Sequence, residues 1–441
     1  MAPPAASRRV RTPSDADAGR TGSLDRRWTV MVYMAVDDDR EGQARADLEE
    51  MKAIGSTPQV ALLAQADVAR TAEPVRRFYL ARGRPLEEDV IDPPLGEARA
   101  GDARDLARFV AWGTGAYPAD RYALVVWNHG TGGGDGEAHA GRLFSQGLRE
   151  GRLGARRARA VDVGSERVAG LGTGLWRVRR PVFHVTAETI LARGIAWDAT
   201  SQDFLDNAEI ERALDAALLL PGLDGLDLLG LDARLVQMLE AAYQVRGLAR
   251  YVVASQEIEP EGGWPYHTVL RRLAAWPQAD GAQLGAMVVD AYLRAAAPRK
   301  AVTLSVLDLS RIADVLSALN ALCRCVLNNV AAARPFVVGA ARAAQRYGEA
   351  DYCDLHDLCR VIWDHTADMP LRARAYDVMA LLAPAGPDRF VAAEGHRGER
   401  VARSHGVSVY FPVGSFSPFY RRLDLSSDSL WDDMLRAVLG G

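Results

Sequence analysis

The stretch WTVMVYMAVDDD, residues 28–39, is where the fold can first be read. From Trp28 to Val36 the run is apolar apart from Thr29, and it stops on three carboxylates. A half-exposed antiparallel strand would alternate polar and apolar residues. A continuous apolar run instead suits a strand buried on both faces of a parallel sheet. Working outward, the same pattern returns at Val60–Gln65, Tyr122–Trp127, Leu226–Leu231 and Tyr251–Ser255. Helical spacing lies between the runs. Residues 208–218 align Ile210, Ala213, Leu214, Ala217 and Leu218 on one stripe, and residues 235–248 align Leu235, Met238, Leu239, Ala242 and Tyr243. Strand–helix alternation of this kind predicts an α/β fold, a doubly wound, mostly parallel sheet flanked by helices.

After Pro298 the chain offers one further strand pattern, Val302–Asp308, then long helical patterns over 311–385 and a late strand, Gly406–Phe411, closed by Pro412. With 441 residues there is more chain than one ordinary core uses. The expected division is a disordered tail over 1–27, an α/β domain over 28–298, and a mainly helical accessory region over 299–441 packed on the sheet. One segment is out of character: residues 141–187 form a basic, Gly-rich insertion, with ten arginines between 141 and 180 against Glu150, Asp162 and Glu166. It reads either as a solvated loop or as a linker open to proteolysis.

Apolar residues make up 49% and charged residues 25%, with a net charge of −4. That balance argues against a nucleic-acid or membrane-surface protein. No apolar run approaches the length of a membrane helix. No apolar core follows Arg8-Arg9, so the tail does not read as a secretory signal, and a cytoplasmic chain is expected. The cysteines are Cys323, Cys325, Cys353 and Cys359. Cys353, His356 and Cys359 can be drawn as a zinc set. Cys323, however, falls on the apolar stripe Leu319, Leu322, Val326 and Leu327, and reduced core or surface thiols are the expectation.

Sites in doubly wound sheets form beyond the carboxyl ends of the strands. Two ends stand out. Leu124–Trp127 exits into Asn128-His129-Gly130, and Leu226–Leu231 exits into Asp232-Ala233-Arg234. A histidine after one strand and a reactive residue after another would make a base and nucleophile.

These residues resemble the clostripain family of caspase-like cysteine endopeptidases. The resemblance is carried by WTVMVYMAVDDD, YPADRYALVVWNHG, GIAWDATSQDFLDNAEIERAL, YVVASQEIEPEGGWPY, TLSVLDLSRI and HGVSVYFP, which run in the family's order from about residue 28 to 412. It implies the caspase–haemoglobinase fold, a His/Cys dyad and cleavage of polypeptides after basic residues, usually Arg. Carried over, His129 matches the catalytic histidine and Asp232 the acid lining the pocket for the substrate's Arg. Ser255, Glu257 and Trp264 belong to a loop beside that pocket. The family's nucleophile sits in an Asp-Ala-Cys-Leu turn, and here Arg234 occupies the cysteine position. No cofactor is implied and no metal ligand is assigned to the site. Some family members bind calcium, which leaves Asp37-Asp38-Asp39 open either as calcium ligands or as a solvated loop.

A guanidinium stays protonated and cannot attack a carbonyl. A thiolate there would instead gain from His129 and from a helix expected to begin near Leu235. Two readings follow. In one the chain is a pseudopeptidase that binds or regulates, with Arg234 either paired to Asp232 or pointing into solvent. In the other it is an active Arg-specific endopeptidase, activated by a partner protease cutting in 141–187, whose residue 234 was altered by engineering or sequence error.

Overall fold

The apolar runs become the middle of one sheet. The computed structural model describes residues 25–34, 41–66, 75–91, 103–127, 196–198, 203–205, 213–214, 225–233, 235–260, 262–297, 300–348, 350–383, 385–386, 388–412, 416 and 420–440. Strand β1 (Trp28–Met34) pairs in parallel with β2 (Val60–Ala66) on one side and β4 (Arg121–Trp127) on the other. The parallel set continues through β7 (Leu226–Asp232) and β8 (Ala249–Ala254). Antiparallel strands close both sides. These are β3 (Arg76–Tyr79) on β2, then β9 (Val302–Asp308) on β8 and β11 (Val391–Arg397) on β9. The order across the sheet is β11-β9-β8-β7-β4-β1-β2-β3. Short strands β5 (Ala196–Asp198) and β6 (Asp203–Leu205) form a separate antiparallel pair.

The alternation of Cβ directions along β1 explains its unbroken apolarity. Met31 and Tyr33 enter one core, while Trp28, Val30, Val32 and Met34 enter the other. The second core is covered by α1 (Glu41–Ile54), α4 (Tyr266–Ala275) and α5 (Gly281–Ala295). The first is covered by α2 (Ala103–Ala116), α3 (Leu239–Gln244) and the C-terminal helices α6 (Ile312–Asn328), α7 (Val330–Ala343), α8 (Leu355–His365), α9 (Met369–Leu382), α10 (Asp424–Asp428) and α11 (Trp431–Leu439). The chain is thus the expected α/β sandwich with a helical C-terminal region. No helix among the described residues is long and apolar enough to cross a membrane.

The expected late strand is present as β12 (Ser408–Tyr410), which pairs with β10 (Tyr352–Asp354). Two sequence expectations change. The division at residue 298 does not bound the sheet, because β9 and β11 are two of its strands. The helix expected over 235–248 shrinks to α3: Leu235 has a left-handed φ of 58° and Met238 is extended, so neither can belong to a right-handed helix, and the N–H groups of residues 235–237 go to the Glu257 and Ser255 carbonyls. Of the expected tail, residues 25–27 are described. Arg27 N–H donates to the Gln59 carbonyl at 2.8 Å, and its guanidinium pairs with Asp120 at 2.6 Å.

Candidate active site

The order of the strands reverses beside β1: the chain passes to β2 on one side, then returns to β4 on the other. Crevices at such switch points are where α/β sheets bind ligands. In register, Met34, Trp127 and Asp232 line up as the last residues of β1, β4 and β7. The two strand ends from which the sequence runs on to His129 and to Arg234 therefore lie side by side. His129 and Arg234 themselves lie outside the described residues, as do Asp37–Asp39 and the 141–187 insertion.

Asp232 is buried, with none of its surface exposed. Its Oδ2 accepts the Tyr266 hydroxyl at 2.7 Å and the Trp264 backbone N–H at 3.4 Å. Burial and the nearby charges of Asp232 and Asp47 push the Tyr266 phenol well above its usual range, so it stays a donor. A second carboxylate stands close by. Asp47 of α1 accepts Trp127 Nε1 at 2.7 Å and Gln43 Nε2 at 2.8 Å. Burial first, and the charge of Asp232 second, raise the Asp47 carboxyl to about 7. Trp264 Nε1 donates to Glu259, also buried, at 3.4 Å. The Trp264 ring lies over Gly230 of β7, where a Cβ would stand 2.9 Å from the ring. The strand end thus carries a buried acidic group walled by tryptophan and tyrosine, complementary to a flat cation such as a guanidinium.

The other two loop residues face elsewhere. Ser255 Oγ donates to the Thr303 carbonyl at 2.7 Å and accepts the Glu257 N–H at 3.1 Å, bracing the loop on β9. Glu257 accepts the N–H groups of Ile258 at 2.8 Å and Gly348 at 3.1 Å, and it pairs with Arg400 at 2.7 Å. Its carboxylate ties the loop to the C-terminal region, while Glu259 supplies the contact to Trp264.

Leu235, directly after position 234, has a positive φ of 58°, a conformation costing a non-glycine residue about 1 kcal/mol or more. Met238 is extended and bridged to Ser408, and its N–H closes back on the Val236 carbonyl at 2.9 Å. The first helical residue is Leu239. The helix therefore does not begin near Leu235, where the sequence reading put it.

Asp47, Glu259 and Tyr266 escaped the sequence reading. Asp47 had a signal: it sits on the buried stripe of α1 with Ala44, Leu48 and Met51, where a carboxylate is out of place. Tyr266 and Glu259 stand in the EIEPEGGWPY segment without a spacing that marks them.

A model of the clostripain family matches residues 32–146 and 184–435. No curated protein sequence matches the chain. Among solved structures, a secreted C11 cysteine protease from Bacteroides thetaiotaomicron bound to an irreversible peptide inhibitor is similar at a TM-score of 0.60 and 18% identity, covering 92% of this chain and 100% of that one. An inactive zymogen C11 protease from Parabacteroides distasonis is similar at 0.59 and 15%, covering 91% and 97%. At such identities these likenesses speak for the fold.

Proposed function

This chain belongs to the clostripain family, a family of cysteine peptidases, and on that premise we propose that it binds polypeptide segments through an arginine side chain but does not cleave them. The observation that carries the reading is Asp232, fully buried at the carboxyl end of β7 and held by Tyr266 and Trp264. A carboxylate walled by a tryptophan and a tyrosine is complementary to a planar cation, and a substrate guanidinium can meet it bidentately. Arg234 stands two residues on, where the family places its thiol, and it can supply neither thiolate nor acyl-enzyme. The role is then capture or regulation of an Arg-containing polypeptide rather than its hydrolysis.

The test is turnover of an Arg-amide reporter by the parent chain and by Arg234→Cys. The parent should be inactive, since loss of the attacking group costs several orders of magnitude. Arg234→Cys should gain cleavage after Arg that His129→Ala then removes. Parent turnover abolished by His129→Ala would overturn the non-cleaving half of the proposal.

A further inference from the structure

Among the described residues, one group of side chains has the make-up and spacing of a metal site: Asp354, His356 and His405 in the C-terminal region. One ligand-type atom from each lies within 4.8 Å of the other two. The fold brings them together from separate segments. Asp354 ends β10 and caps α8, its Oδ1 accepting the Asp357 N–H at 2.8 Å. His356 lies in the first turn of α8. The antiparallel pairing of Asp354 with Ser408 returns the chain over this helix start and brings His405 with it.

The two histidines differ in what holds them. His405 is oriented on one side only: its Nδ1 lies 3.0 Å from the Arg403 carbonyl and 3.3 Å from Asp354 Oδ1. A carbonyl can only accept, so Nδ1 carries a proton and Nε2 is left to offer its lone pair when the ring is neutral. His356 is 9% exposed, and its Nδ1 is buried with no hydrogen-bond partner among the described residues. Its ring is stacked on His405, with centroids 3.9 Å apart and planes at 25°. A buried nitrogen without a partner costs about 1–3 kcal/mol and asks for an explanation.

We propose that Asp354, His356 and His405 form a site for a divalent transition metal of the zinc class, joining the start of α8 to the segment before β12. Two imidazole nitrogens with a carboxylate suit zinc and its neighbours, not the all-oxygen shells of calcium or magnesium. Among the described residues the group does not include Cys353 or Cys359, whose side chains are buried in the apolar core.

The site would act on the loop at the strand ends. Asp354 Oδ2 accepts Gln256 Nε2 at 3.1 Å, and Gln256 Oε1 accepts the Gly406 N–H at 3.1 Å. Gln256 precedes Glu257 and Glu259 in that loop, so a metal here would brace both sides of the contact.

The experiment is calorimetric titration of chelator-treated full chain with Zn2+ at pH 7, with Co2+ absorption spectra recorded on the same protein. The expected result is one equivalent bound per chain, a raised Tm and Co2+ bands of nitrogen–oxygen ligation. His356→Ala, His405→Ala and Asp354→Asn, each removing one of the three proposed ligands, should each lose stoichiometric binding. Binding that persists in both histidine variants, or a parent that takes up neither ion, would overturn the site. The Co2+ spectrum needs no variant, so a histidine substitution that fails to fold leaves the test standing, and a parent spectrum of thiolate ligation would equally refute the assignment.

Discussion

Asp232 shows how much one side chain can be asked to do. Its carboxylate is out of contact with water, and the phenol of Tyr266 and a backbone N–H are donors that meet it. Asp232→Asn should therefore abolish binding of an Arg-containing peptide, which calorimetry against the parent checks; equal affinity would show that the cation goes elsewhere. Asp47 makes the same region pH-sensitive. Its folded carboxyl titrates at about 7 against an ordinary 3.8, so the folded chain holds a proton that the unfolded chain releases. The stability this contributes is fully present below pH 4 and is lost as pH rises to 7, on the order of 1–4 kcal/mol. Urea unfolding across pH 4–8 should show that loss in the parent and not in Asp47→Asn. Cation binding should move the opposite way, strengthening through pH 7 as Asp47 ionises, and Asp47→Asn should flatten that rise as well.

The elements hold the site by close contacts that substitution can probe. In β7, Gly230 leaves room for the Trp264 ring, and an added Cβ would also stand 3.1 Å from Val125. Gly230→Ala should cost about 1–3 kcal/mol by overpacking and should weaken peptide binding by displacing Trp264. A lowered Tm with unchanged affinity would mean that the ring does not shape the pocket. At the end of α1, Lys52 is buried against Asp89 and the Ala81 carbonyl, and Arg84 meets the same carboxylate. Asp89→Ala strands a buried ammonium and should cost about 3–5 kcal/mol, read from the urea midpoint. The strands of the middle of the sheet were plain in the sequence because both faces are apolar. β11, Val-Ala-Ala-Glu-Gly-His-Arg, was not: it is an edge strand with small and charged residues, held by pairing with β9.

At the scale of the molecule, the region after residue 298 is structural to the sheet. β9 and β11 cover the open edge of β8, and the C-terminal helices join α2 and α3 in covering one face of the sheet. Glu240 of α3 adds a buried tie, accepting the Tyr420 hydroxyl at 2.8 Å and the Tyr410 N–H at 3.0 Å. A chain ending at residue 298 should therefore fail to give soluble, cooperatively unfolding protein, because it exposes an apolar face and an unpaired strand edge. A soluble fragment with a sharp thermal transition would show instead that the first part folds alone.

The order of apolar runs by itself determined the α/β class, the parallel middle of the sheet and the strand ends at Trp127 and Asp232, because a strand buried on both faces cannot hide its composition. The same letters placed a helix directly after residue 234 and Glu257 beside the pocket. There only the tertiary structure decided. Leu235 in the left-handed region and Met238 extended keep the chain out of a helix there, pinned by N–H bonds from residues 235–237 to the Ser255 and Glu257 carbonyls of another loop, and Glu257 meets Arg400 and the Gly348 N–H. Partners contributed by distant segments carry no periodicity. For the same reason the meeting of Asp47 with Trp127, and of His356 with His405, became visible only once the sheet and the C-terminal region were folded together.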